Sequence, residues 1–329
     1  MSGPDCTRAR AVRVRVPATA ANLGPGFDVL GLALTLYNEF TVRETGGRLH
    51  ITVAGADGLP DDESNLFYRA FATLCREAGR PVPGLRIHMA LRIPSGRGLG
   101  SSATAVAGGL QAANALLGLD LSPEELLPLA VRLEHGHHPD NVAPALLGGL
   151  VANTCAGDTI HSVRLPFPDD MLAVVFIPDF EMDTVRGRKL MPAHYSQADV
   201  VFNTSRVALF LAALTSRRYD LLGAAMEDRL HQPYRTQLFP ALPALIAAAR
   251  GAGAWGACLS GGGSTVLALT PRGPVAEQIG AAMAQAAEAA GGIGGEVCVL
   301  EIERQGATAA ALEMEQQGAT ASVAGEDKL

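Results

Sequence analysis

Hydrophobic positions along this chain alternate in some stretches and recur every three or four residues in others, and the change of period marks out the elements. Val12, Val14 and Val16 alternate with Arg13 and Arg15, which predicts a half-buried strand over residues 12–16 with Pro17 ending its ladder. Residues 34–43, 49–53 and 85–93 read as further strands. Leu66, Phe67, Ala70, Phe71, Leu74 and Cys75 fall at helical spacing and predict a helix over residues 65–79 with an apolar stripe facing the core. An Ala-, Leu- and Val-rich run predicts a second helix over residues 101–118, opened by serines able to cap it. Ser122, Pro123, Glu124 and Glu125 form a capping box with proline at the first helical position, so a third helix should cover residues 123–135. Residues 142–153 then carry Gly148 and Gly149 into a strand that closes the first half.

The second half opens after a polar, Pro-rich junction over residues 158–170. Residues 171–177, 254–259, 265–269 and 296–302 read as strands, and residues 196–216, 220–230, 242–252 and 274–290 as helices. Residues 178–192 are a charged connection containing Thr184, Arg186 and Arg188, and residues 231–235 a polar segment ending a helix. From Glu303 onward the chain is rich in Ala, Gly, Gln and Glu, with Gln-Gly-Ala-Thr-Ala occurring twice. This reads as a disordered tail over residues 304–329, partly helical over 310–316. At 329 residues the chain passes the size at which single cores divide, so two domains are expected, residues 1–165 and 166–303.

Composition narrows the class. The net charge of -7 and the lack of long Lys/Arg runs exclude the basic surface that a nucleic acid or an anionic membrane requires. Hydrophobic residues make up 48% of the chain, yet no uninterrupted apolar stretch approaches the roughly 18 residues of a transmembrane span. The N-terminus lacks the apolar core of a signal peptide, and Cys6, Cys75, Cys155, Cys258 and Cys298 are scattered without metal-ligand spacing. A soluble, cytoplasmic, small-molecule enzyme is the expectation.

Its chemistry concentrates in Pro94, Ser95, Gly96, Arg97, Gly98, Leu99, Gly100, Ser101, Ser102, Ala103 and Thr104. Three glycines in five positions let backbone N–H groups converge on one spot, and the helix that follows aims its positive end there, which suits an anion such as a nucleotide phosphate. The spacing is neither Gly-x-x-x-x-Gly-Lys-Ser/Thr nor Gly-x-Gly-x-x-Gly. A second glycine turn, Ser260-Gly261-Gly262-Gly263-Ser264, is placed to pack its backbone against the first and close the phosphate site between domains. Residues 18–31 break any regular pattern and set Asn22 and Asp28 among Gly24, Pro25 and Gly26, either as turn caps or as site residues. Glu134 lies at a helix C-terminus, where the dipole disfavours a carboxylate and a bound cation relieves that cost. His135, His137 and His138 crowd one loop, but neighbouring loop residues seldom all face one ion, so a zinc site is not expected.

Three segments in fixed order, residues 17–28, 94–103 and 256–265, resemble the GHMP small-molecule kinases, and within that superfamily the homoserine kinase family. The narrower likeness rests on Asn22 to Asp28, on residues 138–144, on Thr184 with Arg188, and on His231-Gln232-Pro233-Tyr234-Arg235; it covers residues 12–302. Gly263-Ser264 departs from the Gly-Pro more usual there. The resemblance implies an α+β fold, with an N-terminal domain like the second domain of ribosomal protein S5 and a ferredoxin-like C-terminal domain. It implies transfer of the ATP γ-phosphoryl group to the hydroxyl of L-homoserine, with residues 94–104 as the phosphate cradle and Asn65 near the adenine. Ser102 and Glu134 would hold Mg²⁺, suitably hard oxygen ligands. Arg188 and Arg235 would take the substrate carboxylate and Asp28 its ammonium, with Asn22, His138 and Thr184 completing the pocket. Asp140 is the base on chemistry alone; the resemblance instead puts Asn141 at the hydroxyl, and an amide is no base, which favours direct transfer with Arg188 assisting. A kinase for another alcohol, such as mevalonate or shikimate, and a catalytically silent relative are the rivals. A homodimer is compatible with the resemblance.

Overall fold

A computed structural model describes residues 11–134, 138–157 and 159–312. In chain order, β1 (Ala11–Ala21), β2 (Leu30–Thr45) and β3 (His50–Ala54) precede α1 (Leu66–Glu77) and β4 (Gly84–Ala90). Helices α2 (Ser101–Leu117), α3 (Pro123–Leu133) and α4 (Pro139–Leu147) follow, then β5 (Leu150–Ala156) and β6 (Thr159–Leu165). The second half comprises β7 (Met171–Pro178), α5 (Thr184–Lys189), α6 (Gln197–Thr215), the short α7 (Leu222–Ala225) and α8 (Gln232–Arg235), α9 (Leu242–Gly251), β8 (Gly256–Leu259), β9 (Val266–Pro271), α10 (Val275–Ala289) and β10 (Gly295–Leu300). A last strand, β11 (Thr308–Ala311), returns to the first half.

The strands form a seven-stranded sheet ordered β11-β1-β2-β4-β3, with β5 and β6 attached to the other end of β2, and a four-stranded antiparallel sheet ordered β10-β7-β9-β8. The second sheet, with helices between β7 and β8 and between β9 and β10, has the ferredoxin-like βαββαβ plan. Phe40 and Phe67 stack at 4.5 Å in the first core, among Val12, Val14, Val16 and the apolar faces of α1 and α2. Along β7 the side chains alternate: Val174 and Phe176 face α9 and α10, while Ala173, Val175 and Ile177 join a core with Ala18, Ala20, Leu30 and Leu99. That middle core is shared by both sheets, so the two halves meet through buried apolar surface.

Several boundaries differ from the sequence reading for identifiable reasons. Pro17 does not end β1; the strand runs on to Ala21, with its pairing to β2 shifted between Pro17 and Ala18. A bulge tolerates the missing N–H and turns the strand from one core to the other. The helix expected over residues 220–230 stops at Ala225, because Asp228 accepts bonds from the amides of Leu230, His231 and Gln232 and builds a tight turn there. Elements α4, α5 and β6 were unforeseen: two prolines open or interrupt the first, the second is short, and the third is mostly exposed. Helix α6 has the length and apolarity to cross a membrane, but Asn203, Phe210, Ala213 and Leu214 are buried in the protein.

Residues 304–312 also correct the expected tail. Strand β11 pairs with β1 in the register Val12 to Ala311, Ala307 donates to Ala145 O, and the Ala307 carbonyl accepts from Gln111. The Ala-rich composition reads as disorder only when the partner strand is not seen. The remainder of the expected tail, from residue 313, lies outside the described residues, as do His135, Gly136 and His137. A chain ending at Glu303 is expected to melt about 5 °C or more below one ending at Leu312, since it loses a paired strand. Equal melting temperatures in differential scanning calorimetry would show that β11 contributes nothing to the fold.

Candidate active site

The first glycine turn lies between β4 and α2, and its three glycines all have positive φ: 67° at Gly96, 82° at Gly98 and 71° at Gly100. These angles exclude most side chains and fold the backbone back on itself twice. Each carbonyl from residue 96 to 100 is satisfied by a protein donor, in turn Met182 N, Thr265 N, Ser260 Oγ, Thr19 N and Thr104 N. The amides of the turn and of the first turn of α2 are therefore the polar groups left for a ligand. Gly100 itself occupies the N-cap of α2 and supplies no side-chain cap, so the serines expected to cap the helix stand instead inside its first turn. An anion at that end is the natural substitute.

The second glycine turn holds the first in place. A Cβ on Gly98 would strike Ser260 O, and a Cβ on Gly263 would strike the amide of Gly98, so the two backbones touch where neither residue has a side chain. Gly261 N also donates to Ala21 O at 3.0 Å. Asn38, buried at the centre of β2, donates to Thr104 and accepts from the amides of Arg92 and Ile93, holding both flanks of the first turn.

The loop between β1 and β2 is strained. Asn22, Leu23 and Asp28 have φ values of 70°, 49° and 59°, conformations that side chains other than glycine or asparagine rarely adopt. Asn22 Oδ1 accepts from Asp28 N at 3.0 Å and its Nδ2 donates to Gly261 O at 3.1 Å, so both groups brace the backbone. Asp28 is thereby set against Arg188, which reaches it with two bonds of 2.8 Å, while His138 Nδ1 stands 3.5 Å away. The paired carboxylate pushes the Arg188 pKa up. Arg235, 2% exposed, lies behind Phe27 and donates to Gly261 O and to His231 Nδ1, both at 2.8 Å. Burial lowers its pKa to about 10, so it stays charged at neutral pH.

Asn141 joins these two regions. Its Oδ1 accepts from Thr19 Oγ1 at 2.9 Å and lies 3.3 Å from the Cβ position of Gly100, while Asp140 beside it senses Asp28 and Arg188. On the other side of the turn, Ser102 Oγ donates to Glu134 Oε1 at 2.6 Å. A turn with outward-facing amides, a hydroxyl–carboxylate pair and a cluster of opposite charges are thus adjacent.

A family model described as the GHMP kinases N terminal domain matches residues 65–149, and one described as GHMP kinases C terminal matches residues 210–289. The chain is 45% identical to a homoserine kinase of Microchaete diplosiphon, over 91% of this chain and 97% of the relative. Identity to a homoserine kinase of Persephonella marina is 43%, covering 91% and 98%. The crystal structure of homoserine kinase from Cytophaga hutchinsonii superposes with a TM-score of 0.86 at 32% identity, covering 94% of this chain and all of that one. The chain belongs to the homoserine kinase family of GHMP kinases.

The expected site residues fall in different places in the fold. Asp28, His138, Asp140, Asn141, Arg188 and Arg235 gather as one cluster, and Ser102 meets Glu134. Thr184, the first residue of α5, lies against Gly262 of the second glycine turn. Leu99, Ala103 and Thr104 turn their side chains into the core and offer a ligand only backbone, whereas Ser95 and Gly96 are exposed. Pro94 is half-buried, Ser101 Oγ lies 3.3 Å from Ser95 Oγ, and Arg97 reaches away to Pro178 O, tying the turn to the second sheet. Asn65, expected near the adenine, is the N-cap of α1: its Oδ1 takes Phe67 N and its Nδ2 meets Pro60 O. Thr19, Phe27, Asn38, Asp228 and Ser260 were missed as site residues. Thr19, Phe27 and Ser260 lie inside the motifs that carried the family likeness, which was the available signal; Asn38 and Asp228 carry none.

Asp140 is buried with its charge uncompensated by any direct ion pair among the described residues. Burial, reinforced by the Asp28 charge and opposed by Arg188, raises its pKa from 3.8 to about 7. Holding it ionised in the fold costs on the order of 4 kcal/mol relative to the unfolded chain. That penalty is absent below pH 3.8, grows as the unfolded chain ionises, and is complete above about pH 7. Asp140→Asn is therefore expected to melt several degrees higher than the natural chain at pH 8, with the gap narrowing at pH 5. A gap that widens towards acid would contradict the buried-charge account.

Proposed function

We propose that this chain transfers the γ-phosphoryl group of ATP to the side-chain hydroxyl of L-homoserine, forming O-phospho-L-homoserine for threonine synthesis. The observation that supports it most is that Asn141 stands against the amide-rich turn at Gly100 while its chain neighbour Asp140 feels the charges of Asp28 and Arg188. An amino-acid alcohol carries an ammonium, a carboxylate and a hydroxyl, and this cluster offers a partner for each.

In this reading the turn at residues 96–100 and the N-terminus of α2 hold the phosphates. Ser102 and Glu134 fit Mg²⁺ as a hydroxyl and a carboxylate already in contact, and the ion would neutralise charge between the terminal phosphates. Arg235 receives the substrate carboxylate, Asp28 the ammonium, and Arg188 bridges Asp28 to the reacting region. Thr19 occupies Asn141 Oδ1, which leaves the Asn141 amide N–H groups to orient the acceptor hydroxyl oxygen. An amide so placed cannot take the proton, and transfer is direct: the hydroxyl oxygen bonds to the γ-phosphorus as the bond to the bridging oxygen breaks, and the proton passes to a phosphate oxygen. Asp140 then acts on the field of the site and takes no proton from the substrate. We assign residues 1–165 and 166–303 to the two units, with β11 rejoining the first, and place the enzyme in the cytoplasm, as a homodimer where two copies meet.

A coupled assay should show ADP release with L-homoserine and not with mevalonate or shikimate. Release with another alcohol would move the assignment within the superfamily, and ATP binding without turnover of any alcohol would make the chain a silent relative. Asp140→Asn should lower kcat by only about tenfold; a loss of 10²- to 10⁴-fold, the usual contribution of a general base, would reject direct transfer.

A further inference from the structure

His231 sits at the one place where Arg235 and the strained loop bearing Asp28 can be held by a single side chain, and the mechanism above gives it no task. The ring is fully buried. Arginine can only donate, so the 2.8 Å bond from Arg235 Nη1 makes Nδ1 the acceptor and leaves the ring proton on Nε2. Nε2 then donates to Gly24 O at 2.7 Å, within the loop of residues 22–28. The ring also stacks on Phe27 at 5.2 Å, and the Arg188 and Arg235 guanidinium carbons lie 5.0 Å and 5.6 Å from the centroid of that same phenyl ring. Asp228, whose oxygens accept the amides of Leu230, His231 and Gln232, fixes the backbone from which the imidazole projects. Burial presses the imidazole pKa down to about 4, in agreement with the neutral ring that this bonding demands.

The neutrality matters for what Arg235 can do. Arg188 is already ion-paired with Asp28, whereas Arg235 forms no ion pair among the described residues and its Nε is buried without a hydrogen-bond partner. A buried guanidinium needs acceptors to stay in place, and a carboxylate acceptor would cancel the charge that a substrate carboxylate needs. An imidazole nitrogen and the Gly261 carbonyl hold it without cancelling that charge. We infer that His231 is a positioning residue for the reaction, a neutral acceptor that aims the Arg235 guanidinium at the substrate carboxylate and ties it through Gly24 to the loop carrying Asp28. The inference rests on the reading of Arg235 as the carboxylate partner.

The experiment compares three substitutions that separate charge from shape, each checked for folding by its melting temperature. His231→Asn retains a neutral acceptor near the Nδ1 position and should keep the KM for homoserine within about threefold. His231→Asp differs from it only in charge, and should raise that KM by about tenfold or more; His231→Leu, which removes the acceptor, should do the same. The KM for ATP should stay within about twofold throughout, and kcat should change less than the homoserine KM. In an Arg235→Ala background, His231→Leu should add no further rise. Equal homoserine KM values for the Asn and Asp chains, an unchanged KM for the Leu chain, or a full additional rise in the Arg235→Ala background would each overturn the inference while leaving the kinase assignment intact. A natural chain that releases no ADP with homoserine would overturn the assignment, and the inference with it.

Discussion

The site depends on a contact between two stretches of bare backbone. Gly98 and Gly263 meet where a Cβ on either would strike the other turn, and hydrogen bonds from Ser260 Oγ and Thr265 N fix the separation. Because these bonds, with those from Met182, Thr19 and Thr104, satisfy the carbonyls of residues 96–100, they also decide which way the amides face. The outward-facing amides of the turn are therefore a property of both halves of the molecule: the first supplies the glycines, the helix end and the donors Thr19 and Thr104, and the second supplies the donors Met182, Ser260 and Thr265.

The acceptor side is arranged by charge in the same cooperative manner. Asp28 is held at positive φ by Asn22, paired with Arg188, and close enough to Asp140 to add to the rise that burial causes in its pKa. Arg235 comes from the other half and is held in place by the neutral acceptors His231 Nδ1 and Gly261 O. Strain at Asn22, Leu23 and Asp28 and a buried carboxyl at Asp140 are costs to stability that the middle core, shared by both sheets, offsets. The fold thus concentrates backbone strain and a buried carboxyl around Asp28, Arg188 and Arg235.

Much of the fold was legible in the chain because its signals are local. The alternation of Val12, Val14 and Val16, the stripe of α1 and the capping box at Ser122 all appear in the structure, the last with both of its reciprocal bonds. The misread elements were those whose fate is set by a distant partner. Pro17 stays in a strand because a bulge accommodates it, β11 forms because β1 offers an edge, and the helix after residue 219 stops because the Asp228 carboxylate captures the amides beyond it. The site divided in the same way: glycine turns, Ser102 and Asn141 stand in recognisable motifs, whereas Asn38 and Asp228 are single polar residues whose partners lie far away in sequence or in backbone amides that composition does not reveal.

By itself, the sequence determined where the backbone had to be free of side chains, which faces were apolar, and which family the motifs belong to, since glycine spacing and hydrophobic period act over a few residues. Tertiary structure alone decided that the two glycine turns interlock, that Asp28 pairs with Arg188 across 160 residues, and that His231 remains neutral beside a buried arginine. Those outcomes depend on desolvation and on distances between groups remote in the chain, and both come into being only when the two sheets close on their common core.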